Sequence, residues 1–191
     1  MNRLILVIAT MLSVLLCGPD SIAQEVIGLD NWFNRETDAK TGLPFHYLWN
    51  DSADSGFSRW GDIFTQKRCA LKTLEQPDDK SLKDISIYII VDPDSTAETA
   101  TPNYIGPDHV KAIERWVRNG GVLVLLANDG KHCELTHLNQ LSTRFGMVFS
   151  NVMLRQVLNN HYEMGAFTAL PDHPVFRKLK KIYLKEVSSI V

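Results

Sequence analysis

The sequence predicts an α/β fold, doubly wound on a mostly parallel sheet. Three observations carry that prediction. Gly120–Gly130 reads Gly-Gly-Val-Leu-Val-Leu-Leu-Ala-Asn-Asp-Gly, with six apolar residues unbroken between glycine and asparagine. Such a run fits a strand buried on both faces. Residues 85–91, Ile-Ser-Ile-Tyr-Ile-Ile-Val, are rich in β-branched side chains and stop at Asp92-Pro93-Asp94. Helical periodicities fall between these runs, the order expected of parallel strands joined by crossover helices.

The elements follow in chain order. Residues 25–29 form a first strand ending at Asp30. Residues 31–54 form a long polar and aromatic loop containing Trp32, Phe33, Phe45, His46, Tyr47 and Trp49. Asp54 or Ser55 caps a helix with Phe57, Trp60, Ile63 and Phe64 on one stripe. Residues 71–74 give a weak second strand, 76–80 a turn, and 85–91 the third strand. Pro107 opens a helix with Val110, Ile113 and Val117 on one face, closed by Gly120 and Gly121. The 122–127 strand follows. A helix carrying Leu135, Leu138 and Leu141 stops at Gly146. Strands are expected at 147–149 and 182–187, and the sheet reads as shortened at its carboxyl-terminal end.

The amino terminus reads as an address. Met1-Asn2-Arg3 precedes an apolar stretch at 4–16, and Ser21-Ile22-Ala23 supplies the small residues of a cleavage site. This is the pattern of a secretory signal peptide, with a core short for a membrane span. Leu16 before Cys17 disfavours lipoprotein processing. The expectation is residues 1–23 as signal peptide, 24–191 as one α/β domain, and a periplasmic or secreted protein with no membrane attachment after cleavage. Removing Arg3 and Asp20 leaves the formal charge at −2. No basic run is present, which argues against nucleic acid as a partner. Cys69 and Cys133 remain, either as a pair or as two free thiols.

Acids recur where strands end: Asp30, then Asp92 and Asp94, then Asn128 and Asp129. Parallel strands bring these to one rim, where carboxylates raise one another's pKa or hold a divalent cation. Asp and Asn also serve as turn formers at such positions. Asp30, Asp92 and Asp129 are the candidate acid/base or metal groups. Asn31, Trp32, His46, Trp49, Asp94, Asn128, His132, His137 and Asn139 are the candidate ligand contacts. The loop aromatics either offer a sugar face or plug the sheet edge. No cofactor motif is evident. The 128–130 turn holds no Ser or Cys, and Cys133 beside His132 lies too late for a nucleophile elbow.

Five segments carry a resemblance. They are Leu29-Asp30-Asn31-Trp32-Phe33-Asn34, Ser55-Gly56-Phe57-Ser58, Tyr88-Ile89-Ile90-Val91-Asp92-Pro93-Asp94, Gly120-Gly121-Val122-Leu123-Val124-Leu125 with Asn128-Asp129, and His137-Leu138-Asn139. Together they resemble the flavodoxin-like, class I glutamine amidotransferase-like α/β domain found attached to unsaturated rhamnogalacturonyl hydrolases of glycoside hydrolase families 88 and 105. The resemblance spans nearly all of residues 25–191. It implies a periplasmic role in pectin-type polysaccharide use, with an acidic oligosaccharide or a glycoside hydrolase as partner. The helical barrel of those hydrolases has no counterpart here, and the amidotransferase cysteine is replaced at the elbow by Asn128 and Asp129. The expectation is therefore an accessory binding domain. A hydrolase of uronate-containing glycans, or a fragment without independent activity, are the alternatives.

Overall fold

The computed structural model describes residues 24–38, 40–53 and 55–191. The expected signal peptide, Cys17 and the Asp54 cap lie outside the described residues. Four strands, β1 (Val26–Asp30), β2 (Ala70–Leu74), β3 (Ile87–Val91) and β4 (Val122–Leu126), form an all-parallel sheet in the order β2-β1-β3-β4. Between them run helices α1 (Ser58–Gln66), α2 (Asp79–Leu82) and α3 (Pro107–Arg118), and α4 (Leu135–Ser142) follows β4.

Alternation along β3 divides the core in two. Tyr88 and Ile90 pack with Leu82 of α2, Val110 and Ile113 of α3, and Leu138 and Leu141 of α4. Ile89 and Val91 face the other way with Ile27 and Leu29, beneath Trp60 and Phe64 of α1 and the loop aromatics Tyr47, Trp49 and Phe57. All of β3 from Tyr88 to Val91 is buried. This is the period-2 rule of a strand with helices against both of its faces.

Four expectations need correction. First, β4 is not buried on both faces. It is the edge of the parallel sheet, with Val122 52% and Leu126 38% exposed. Leu123 and Leu125 pack towards α3 and α4, while only Val124 joins the cluster under α1. Second, α1 starts at Ser58 with Phe57, not Ser55, at its N-cap, and no side-chain cap is found among the described residues. Asp51 O instead accepts from Ser58 N at 3.1 Å. The turn needs Gly56, whose added Cβ would stand 2.1 Å from Asp51 O.

Third, the expected turn at 76–80 leads into α2, held by reciprocal bonds between Asp78 and Ser81. Fourth, the last strand is displaced and divided. β7 (Ile182–Tyr183) pairs antiparallel with β6 (Ala166–Phe167), and β8 (Val187–Ile190) pairs antiparallel with β5 (Phe149–Leu154). Glu186, in left-handed backbone at φ 55°, stands at the break. β5 itself begins two residues later than the 147–149 strand expected. Among the described residues, β8 meets the parallel sheet through a bridge from Val187 to Asn128 and a bond from Ser188 N to Ala127 O. No helix among the described residues is long and apolar enough to cross a membrane.

Candidate functional site

The carboxyl ends of β1 and β3 sit side by side, and the chain fills the crevice between them with its own loop. Asp30, at the end of β1, is buried. Its Oδ2 accepts from the backbone N–H groups of Trp32, Phe33 and Asn34 at 3.3, 2.8 and 3.2 Å. Its Oδ1 accepts from the Tyr88 hydroxyl at 2.5 Å. Burial lifts its pKa from 3.8 to about 6, against the pull of these donors. Asn34 then reaches across to donate to Asp92 O at 2.7 Å. Both oxygens of Asp30 are thus committed to holding the loop start against β3.

Asp92 follows β3 in left-handed backbone, at φ 46°. That conformation is costly for a residue other than glycine, although Asp and Asn tolerate it best. Its Oδ2 accepts from the Tyr47 hydroxyl at 3.0 Å and from Asn128 Nδ2 at 2.8 Å. Its Oδ1 is buried without a hydrogen-bond partner among the described residues. Burial is the main reason its pKa stands at about 7, and the negative charge of Glu98 adds to the rise. A carboxyl at that value carries a proton half the time near neutrality, which lowers the cost of the unfilled oxygen. Burial, and not repulsion among the strand-end acids themselves, is what raises Asp30 and Asp92; the charge that adds to the rise at Asp92 is Glu98, from the loop beyond β3.

Asp94 is buried as well. Its Oδ2 accepts from Arg35 N at 2.9 Å and Thr99 Oγ1 at 2.8 Å, and its Oδ1 has no partner among the described residues. Burial raises its pKa, with Glu36 adding to the rise and His46 opposing it. Glu98 is raised by burial and then by Glu36 and Asp94, while Ser95 N–H and its hydroxyl donate to Glu98. Glu36, Asp92, Asp94 and Glu98 therefore share one acid neighbourhood. Among the described residues, no group of three or more His, Cys, Asp or Glu side chains is arranged to hold a metal ion.

The remaining candidates divide by position. Asn128 reaches Asp92 directly. His46, with Tyr47, turns the loop through two successive left-handed residues and places its Nδ1 3.3 Å from Glu36. Asp129 accepts from Lys131 N at 2.9 Å, and its other oxygen lies 3.3 Å from His132 Nδ1. His132 thus faces Asp129, and it makes no dyad with Cys133. Burial, then the Asp92 carboxylate, pushes the Cys133 thiol far up, so it stays protonated and is a poor nucleophile. Cys69 and Cys133 are both free.

Asn31 bonds Glu75 at 3.0 Å. Trp32 lies against the core with a buried indole N–H that has no partner among the described residues. Trp49 packs in the aromatic layer over α1 and donates to Lys72 O at 3.1 Å. Asn139 clasps the backbone of Phe149, donating to its O and accepting from its N–H. Asp30, Trp49 and Asn139 thus hold loop, helix and strand in place.

An open space survives on this edge, beside the ends of β3 and β4. It is a cavity of about 350 Å³, lined by Ser95, Thr96, Tyr104, Glu134, Thr136 and Asn151 among others. Cys133 closes its floor next to Asp92. Glu134 caps α4 by accepting from Thr136 N and His137 N, and its Oε2 lies 3.0 Å from His137 Nδ1. His137 in turn stacks on Tyr104, with ring centroids 4.5 Å apart and planes at 10°. Tyr104 is exposed. The sequence points to His137, and to Tyr47 as one of the loop aromatics, but not to Tyr104, Glu134 or Glu98. The only signal for Tyr104 was its place in a Pro- and Gly-bounded loop ahead of α3.

Comparison with protein-family models, with curated proteins and with solved structures gives no significant match for this chain.

Proposed function

We propose that this chain is an accessory carbohydrate-binding domain, doubly wound and flavodoxin-like, that serves pectin-type polysaccharide breakdown outside the cytoplasm. The observation that carries the reading is the polar cavity at the ends of β3 and β4, flanked by an exposed tyrosine laid flat on a histidine. Its volume lies at the small end of the ligand-site range, suited to one or two sugar rings. The flat Tyr104 ring gives a sugar's apolar face a platform, while Thr96, Glu134 and Asn151 offer hydrogen bonds. The ligand's hydroxyl groups face the acid neighbourhood, because a uronate carboxylate there would meet like charge. The absence of a Ser or Cys at the strand-end turn and the protonated state of Cys133 favour binding over acyl chemistry.

Thermal melts with a panel of pectic oligosaccharides test this reading. One member of the panel raises the melting temperature, because a ligand stabilises only the state it binds. Tyr104→Ala removes that shift while leaving the unliganded melt nearly unchanged. A panel that leaves the melt unmoved would reject the sugar and direct attention to a glycoside hydrolase as the bound partner.

A hydrolase reading rests on a different observation, the pKa of about 7 at Asp92 beside the Tyr47 hydroxyl. That value is suited to general acid or base work near neutrality. Asp92→Asn separates the two readings: binding persists under the first, and any glycan turnover vanishes under the second.

A further inference from the structure

The opposite edge of the sheet holds the larger space. A groove of about 820 Å³ runs beneath the amino-terminal ends of the strands. Its floor and walls include Ile27, Phe64, Leu82, Ile87, Trp116 and Val122. Trp116 is a fixed wall. Its indole N–H donates to Ile85 O at 2.9 Å, and its ring lies so close to Gly121 that an added Cβ would stand 2.2 Å from it. Gly120 makes the turn that brings Gly121 there, in left-handed backbone at φ 101°.

The rim is charged. Arg115 holds Asp79 through two bonds, Nη2 to Oδ2 at 2.7 Å and Nε to Oδ1 at 3.3 Å, so this pair is internally neutralised. Glu25 also lines the groove. Lys67, just past the end of α1, and Lys83, just past the end of α2, are exposed and have no ion-pair partner among the described residues. Two unpaired ammonium groups over an apolar, aromatic-walled groove complement one kind of small molecule, an anion with an apolar body.

We propose that this groove binds a small organic carboxylate with a ring-sized apolar body, its carboxylate held by Lys67 and Lys83 and its ring against Trp116. The site is separate from the sugar cavity and does not rest on that reading. Binding covers the surface that Phe64, Ile87, Trp116 and Val122 leave in contact with water, over the already buried Ile27 and Leu82, and the lysines supply the orientation.

Calorimetric titration of the protein with 2-naphthoate, and with the uncharged 2-naphthalenemethanol, tests the proposal. Naphthoate binds more tightly than the alcohol, and its advantage shrinks at high salt. The double substitution Lys67→Gln with Lys83→Gln weakens naphthoate by roughly tenfold, about 1.4 kcal/mol, with the melting temperature unchanged. Quenching of tryptophan fluorescence by bound naphthoate falls in Trp116→Phe. No naphthoate binding, equal binding of the alcohol, or an unchanged affinity in the double lysine variant would each overturn the proposal.

Discussion

β3 and β4 are neighbours with nearly the same sequence character and opposite surroundings. Ile-Tyr-Ile-Ile-Val in β3 pairs with β1 on one side and β4 on the other. Among the described residues, Val-Leu-Val-Leu-Leu in β4 pairs with β3 alone. Helices cover both faces of β3, whereas Val122 and Leu126 of β4 stay in contact with water. An unbroken apolar run reports that a strand belongs to a helix-covered sheet. It does not report how many neighbours that strand has.

The sharpest test of this difference is Ile89→Ala. Ile89 is fully buried and stands in register between Leu29 and Val124. Its truncation removes methyl groups and leaves a cavity in the layer under α1, costing about 2–5 kcal/mol. Chemical denaturation measures that loss as a fall in midpoint with the slope unchanged. A cost below about 1 kcal/mol would mean that β3 is no better packed than an edge.

Tyr88→Phe probes the polar side of the same strand. The ring stays, but Asp30 Oδ1 loses its only donor among the described residues while remaining buried. An oxygen stranded in this way costs about 1–3 kcal/mol. The loss is largest at alkaline pH, where Asp30 must be ionised. No comparable penalty is available in β4, which carries no polar side chain.

The pH dependence sharpens the contrast further. Asp30 and Asp92 titrate at about 6 and about 7 in the folded protein, both raised from 3.8 chiefly by burial. Between the unfolded and folded values the native state binds more protons than the unfolded chain. Stability therefore falls as pH rises from about 4 to about 7, and levels off above that window. Asp92→Asn removes one of the two carboxyls, keeps an acceptor for Tyr47 and Asn128, and suits the left-handed backbone. Melting curves across this range are expected to be flatter for the variant, with the gain in melting temperature confined to the neutral end.

The sequence made much of this frame legible, for reasons that are local. The 87–91 strand, the Pro107 helix start and the 122–126 strand are set by periodicity, proline and glycine, which act within a few residues. The rim was legible because acids stood at strand ends. Three things were not. The edge position of β4 depends on β5 pairing with β8 instead, a choice made by residues 33 to 41 apart in the chain. The division of the aromatic loop, with Trp49 over α1 and Trp32 towards the other face, depends on tertiary packing. The Tyr104–His137 stack joins the loop before α3 to the first turn of α4, two segments with no shared sequence pattern. Asp30 looked like a catalytic acid because its type and place were right; its full set of donors appears only once the chain folds back on it.

The smallest expected effect decides whether β4 is an edge in solution. Val122→Thr replaces a half-exposed side chain with one of similar shape and β propensity. Surface substitutions of this kind lie within about 0.5 kcal/mol of neutral. The same change at a site buried on both faces would strand a hydroxyl and cost about 1–3 kcal/mol. The two outcomes are therefore separable in one denaturation series. A near-neutral Val122→Thr beside a costly Ile89→Ala would show that adjacent strands of like composition occupy different environments. A large loss at Val122 would show instead that something covers this face in solution, and a loss that depends on protein concentration would identify that cover as a second copy of the chain.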